Sequence, residues 1–158
     1  MPRRVGRYDG ERKVIADIET FRWHCVRILE EGGGPPWTFT IGLYETWQHP
    51  ELIITGLSKA TAHQVLDNMA VPIKAHRPID LSTTTEELLT GYACCFVEVP
   101  KQKYFINVGF ARWYYRGNDF PLYQIVWPSK EGYFPWHPNA TASFKRWQPV
   151  LREHTASN

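Results

Sequence analysis

Residues 37–43, Trp-Thr-Phe-Thr-Ile-Gly-Leu, decide the fold class, because Trp37, Phe39, Ile41 and Leu43 alternate with Thr38, Thr40 and Gly42. A period of two puts the four large apolar side chains on one face of a strand. The segment therefore predicts a strand with one core face and one threonine face. After a polar turn at 44–50, residues 51–56 (Glu-Leu-Ile-Ile-Thr-Gly) predict a partner strand, buried on both faces along its apolar run. Upstream, Val14, Ile15, Ile18 and Phe21 recur with helical spacing, and the aromatic and β-branched run at 22–29 reads as a further strand, stopped by Gly-Gly-Gly-Pro-Pro at 32–36.

Downstream, Ser58 is placed as the N-cap of a helix whose stripe is Ala62, Val65, Leu66 and Met69, with Pro72 as its end. Thr84 to Glu87 has a capping-box pattern and predicts a shorter second helix closed by Gly91. Cys94–Val99 and Tyr104–Val108 read as a hairpin around 100–103, residues 109–116 as a helical turn or two, and 121–127 as another strand. This order predicts an α+β fold: one compact domain with a mainly antiparallel sheet that could curl toward a barrel, flanked by two or three short helices. Residues 11–150 are assigned to it, with a flexible segment at 1–10 and a polar tail at 151–158.

The chain of 158 residues and 18.4 kDa has one domain's worth of core. A net charge of +2 is too small to suggest nucleic acid as partner, although residues 101–158 carry 8 basic against 3 acidic side chains. Cys25, Cys94 and Cys95 have neither disulfide-framework nor zinc spacing, so they read as small buried hydrophobes and no metal site is predicted. No apolar leader or membrane-length run occurs, which makes a cytoplasmic protein the expectation and a membrane partner unexpected. Dinucleotide, P-loop, nucleophile-elbow and zinc-protease motifs are absent.

Three constellations remain. His24 lies on a strand between Trp23 and Cys25. The segment 44–51 sets Glu45, His49 and Glu51 beside Tyr44 and Trp47, and Glu45 with His49 could form an acid/base pair. Residues 110–147 hold 12 of the 23 aromatic residues, interleaved with Arg112 and Arg116. Trp127 and Trp147 are assigned there to the core, and Trp136-His137 to the surface. His63 and Asp67, four apart on a helix, read as a solvated pair.

Two stretches resemble a known family: 36–57, with Thr40-Ile41-Gly42-Leu43 and His49-Pro50-Glu51-Leu52, and 121–136, with Gln124-Ile125-Val126-Trp127-Pro128 and Gly132-Tyr133-Phe134-Pro135-Trp136, followed by Gln148-Pro149. Together they are similar to the bacterial family known as domain of unknown function 4262, across most of residues 20–150. The resemblance implies a compact bacterial α+β domain and no particular activity. Ser129 and His137 stand where that pattern leads one to expect acidic residues. The strand–loop–strand–helix opening is also similar to flavin-binding split barrels, without their phosphate-binding Arg/Lys/Ser set.

The expected function is a non-enzymatic module binding a small molecule or a protein through Tyr44, Trp47, Arg112, Trp113, Trp136 and His137, without a cofactor. The alternative is a small enzyme or split-barrel-like flavin protein with His24, Glu45 and His49 in its pocket.

Overall fold

A computed structural model describes residues 6–152. Its centre is one six-stranded sheet in the order β1-β2-β3-β6-β5-β4. The strands are β1 (His24–Ile28), β2 (Trp37–Ile41), β3 (Glu51–Thr55), β4 (Thr85–Leu89), β5 (Tyr92–Glu98) and β6 (Leu122–Val126). Each half of the sheet is an antiparallel three-stranded meander, and the halves join through the parallel pair β3 and β6. The α+β class and the mainly antiparallel sheet are as expected. The sheet stays open with β1 and β4 at its edges, so the barrel and the split-barrel likeness have no counterpart in the fold.

Six α-helices occur among the described residues, more than the two or three expected: α1 (Asp9–Phe21), α2 (Leu43–Trp47), α3 (Lys59–Lys74), α4 (Tyr104–Asn107), α5 (Gly109–Tyr115) and α6 (Ala142–Trp147). Only α1 and α3 exceed seven residues. On one face of the sheet, Val65, Leu66, Met69 and Ile73 of α3 meet Leu52, Ile54 and Ile125. On the other, Val14 and Ile18 of α1, Tyr104, and Ala111 and Tyr114 of α5 meet Phe39, Ile41, Ile53 and Leu122. With both faces covered, Thr38 and Thr40 are as buried as Phe39, which corrects the expectation of a polar threonine face.

Four local expectations are overturned. The 44–50 turn is mostly α2, entered at Gly42, where φ is 110° and a Cβ would sit 2.9 Å from the Arg22 carbonyl oxygen. Pro72 does not end α3: so near the C-terminus it costs a single intrahelical bond, and Ile73 beyond it is anchored in the core. The capping-box segment is strand β4, paired with β5, and the Thr85 hydroxyl accepts the Glu87 N–H in a local turn. Tyr104 to Asn107 is helical because Tyr104 and Val108, four residues apart, are the buried pair, and Tyr104 donates to the Phe120 carbonyl at 2.8 Å.

The expected flexible segment at 1–10 overlaps α1, which begins at Asp9, and its residues 1–5 lie outside the described residues. Of the expected tail, Leu151 donates its N–H to Gln124 Oε1 at 2.7 Å, and 153–158 lie outside the described residues.

Candidate functional site

The segment 40–51 is organised by one carboxylate. Glu51 is fully buried at the start of β3, and it accepts the Thr40 hydroxyl at 2.7 Å and the backbone N–H groups of Gly42, Leu43 and Tyr44 at 2.9, 3.3 and 3.1 Å. Tyr115 on α5 donates its hydroxyl to the same group. The carboxylate thus caps α2 from the strand that follows it and ties α5 to it. Burial pushes the Glu51 carboxyl up to about 7 against the downward pull of these donors, with Tyr115 first and Thr40 next. The Tyr115 hydroxyl is raised by burial and then by the adjacent Glu51 charge.

Two buried glutamines have a similar role at the C-terminal end. Gln148 accepts the Trp127 N–H at 3.0 Å and donates to the Trp127 carbonyl at 2.8 Å. Gln124 donates to the Pro149 carbonyl at 2.9 Å as it receives Leu151. Thr40, Gly42, Glu51, Gln124, Trp127 and Gln148 all lie in the stretches that carry the family resemblance, and their visible work is to hold loops and helix ends on the sheet.

The six residues expected to form one binding surface fall into separate groups. Trp47 packs on the α3 side of the sheet, whereas Tyr44 and Trp113 pack on the opposite core. Arg112 is held by Asn118 at 2.6 Å and lies over the Phe105 ring. Trp136, expected at the surface, is 40% exposed, stacked on Phe134 with Arg152 over its ring, and His137 stacks on Tyr133. Trp147, expected in the core, is 42% exposed, with its indole N–H bonded to the Gly56 carbonyl.

The three acid/base candidates also separate. The Glu45 carboxylate accepts from Tyr114, and His49 Nδ1 donates to the Pro50 carbonyl at 2.8 Å, so these two are engaged apart from each other. Burial holds the His49 imidazole below its ordinary range. His24 alone opens on a cleft.

That cleft has a volume of about 560 Å³ and lies at the free edge of β1. Its walls are Lys13, Asp17 and Phe21 of α1 and Lys59, His63, Asp67 and Lys74 of α3, with Trp23, His24, Cys25 and Arg27 between them. Intervals of four and seven residues put each helix's contribution on one side of that helix. His24 Nδ1 donates to Asp17 Oδ2 at 2.7 Å, and Lys13 meets the same carboxylate at 3.3 Å. Burial lowers the His24 pKa, an effect only partly offset by Asp17. Burial pushes the Cys25 thiol up to about 12, which removes it as a nucleophile. Among the described residues no group of three or more His, Cys, Asp or Glu could hold a metal ion.

Sequence reasoning found His24 but missed Asp17, Lys13, Lys59 and Lys74. The available signal was the i, i+4, i+8 spacing of Lys13, Asp17, Phe21 and of Lys59, His63, Asp67, which from sequence alone is indistinguishable from a solvated helix face.

Among the described residues, no helix is long and apolar enough to cross a membrane. No curated protein and no solved structure matches the chain. The family described as domain of unknown function 4262 matches residues 17–141, from inside α1 to the N-cap of α6. That span takes in the whole sheet, the Glu51 cluster and most of the cleft, and the chain therefore belongs to the domain of unknown function 4262 family.

Proposed function

We propose that this domain is a binding module whose recognition site is the cleft between α1 and α3. The observation that carries this reading is the cleft's construction: an open edge strand carrying His24 lies between two helix faces that present cations, carboxylates and His63. The aromatic residues first expected to bind are mostly used in packing, so the reading moves to the β1 edge. Chemical-shift mapping on the 15N-labelled chain during a fragment screen tests it. Ligands that shift resonances of residues 13–27 and 59–74 support the reading, and hits confined to the 128–147 segment defeat it.

A second reading, acid–base catalysis, is favoured by the His24–Asp17 bond. A carboxylate that receives Nδ1–H fixes the tautomer and leaves Nε2 as the basic nitrogen. Incubation with chromogenic ester, phosphate and glycoside substrates tests this, with His24→Ala as the control. Turnover lost in the variant supports catalysis; no turnover on any of the three leaves binding as the reading.

A further inference from the structure

The backbone of β1 adds what the side chains of the cleft do not show. In the ladder between β2 and β3, the Gly56 N–H donates to the Pro36 carbonyl at 2.8 Å and the Leu52 N–H goes to the Thr40 hydroxyl at 2.9 Å. The even-numbered positions of β2 therefore face β3. Antiparallel alternation turns the backbone groups of Trp37, Phe39 and Ile41 toward β1, where their register partners are Ile28, Val26 and His24. It follows that Cys25 and Arg27 direct their N–H and C=O groups out of the sheet. Among the described residues these four groups have no hydrogen-bond partner.

Both residues line the cleft, together with Trp23 and His24. Five residues of β1 span about 17 Å, and Lys59 and Lys74 stand about 22 Å apart along α3. An opening of that length beside unsatisfied strand groups has the shape of a site for extended chain. Its charge narrows the choice. Lys13 and His24 are both bonded to Asp17, and Arg27 donates to the Thr38 hydroxyl and the Leu57 carbonyl, each at 3.3 Å, which leaves Lys59 and Lys74 against Asp67. Exposed strand edges are commonly protected by lysine, which repels like-charged strands and leaves acidic ones acceptable.

We infer that an acidic, extended peptide segment adds to the sheet along β1, exchanging backbone hydrogen bonds with Cys25 and Arg27 and placing its carboxylates beside Lys59 and Lys74. This rests on the cleft being the recognition site and names the class of partner it receives. Five or six residues fill the cleft. Alternate side chains of the segment point toward α1 and toward α3, because the strand between those helices is flanked by both.

The test uses the full 15N-labelled chain and a defined mixture of acetylated hexapeptides with Asp or Glu at alternate positions and all residues but Cys elsewhere. A second mixture carries Lys at the alternate positions. The acidic mixture is expected to shift the Cys25 and Arg27 amide resonances and slow their hydrogen exchange at least tenfold. The Lys mixture should not, and K59E/K74E should weaken binding of the acidic mixture at least tenfold. Absence of any β1 shift at millimolar peptide, or equal binding of both mixtures, overturns the inference. Shifts on α1 and α3 without protection of Cys25 and Arg27 also overturn it while leaving the cleft as a binding site. Protection that appears with protein concentration in the absence of peptide assigns the edge to a second copy of this chain and overturns it too.

Discussion

Tyr115 donates its hydroxyl to Glu51 across 64 residues of sequence, joining α5 to the first residue of β3. The same hydroxyl oxygen accepts the Glu45 N–H at 3.2 Å, so a single phenol closes the loop between β2 and β3 from the opposite core. Tyr115→Phe removes both contacts and leaves a buried carboxylate one donor short. The expected loss is about 1–3 kcal/mol of stability, read from urea denaturation. An unchanged midpoint would show that the phenol is dispensable.

Glu51 should make stability depend on pH. Its folded pKa of about 7 lies above the ordinary 4.5. Its contribution is therefore fully present below about pH 4.5 and is lost as pH rises through 7. His24 and His49, both lowered, act in the opposite sense over part of the same range, so the comparison is with Glu51→Gln. The stability of wild type relative to Glu51→Gln should fall from pH 5 to pH 8 by about 2.5 kcal/mol. A constant gap would place the Glu51 titration outside this range.

Gly42→Ala should be costly. The residue sits at φ 110°, where an L side chain is strained, and the added Cβ would meet backbone at 2.9 Å. A loss above about 1 kcal/mol is expected in thermal or urea unfolding.

His24 should titrate below the ordinary 6.5 in histidine NMR. Asp17→Asn removes the group that raises the imidazole pKa and should move it lower still. An upward move would show that Asp17 does not hold the ring in solution.

Gln148→Ala leaves the Trp127 N–H and C=O without their side-chain partner in a buried place. About 1–3 kcal/mol per orphaned group is the expected scale, measured by denaturation. Near-UV circular dichroism should also change, because the Trp127 ring meets Phe144 of the adjoining helix edge to face, with centroids 5.2 Å apart.

The apolar alternation of Trp37, Phe39 and Ile41 made β2 legible, and with β3 and α3 it fixed the fold class. The alternation could not show that Thr38 and Thr40 are buried, because a threonine face is satisfied equally by water or by Arg27 and Glu51. Thr84 to Gly91 was misread because helix caps and strand turns use the same residues, and its pairing with β5 is not local. The acidic residue of the His49-Pro50-Glu51-Leu52 run was visible, but four of its five donors lie in 40–44, three of them backbone N–H groups, and the fifth is Tyr115, 64 residues away. The cleft was the least legible feature: it exists only when α1 and α3 flank a strand that pairs on one side.

The most direct measurement of the account is residue-resolved amide hydrogen exchange along β1 in the free protein. His24, Val26 and Ile28 should be protected by their ladder with β2, and Cys25 and Arg27 should exchange at least tenfold faster. Equal protection of all five would mean that the edge is already covered and that the cleft does not offer it to a partner.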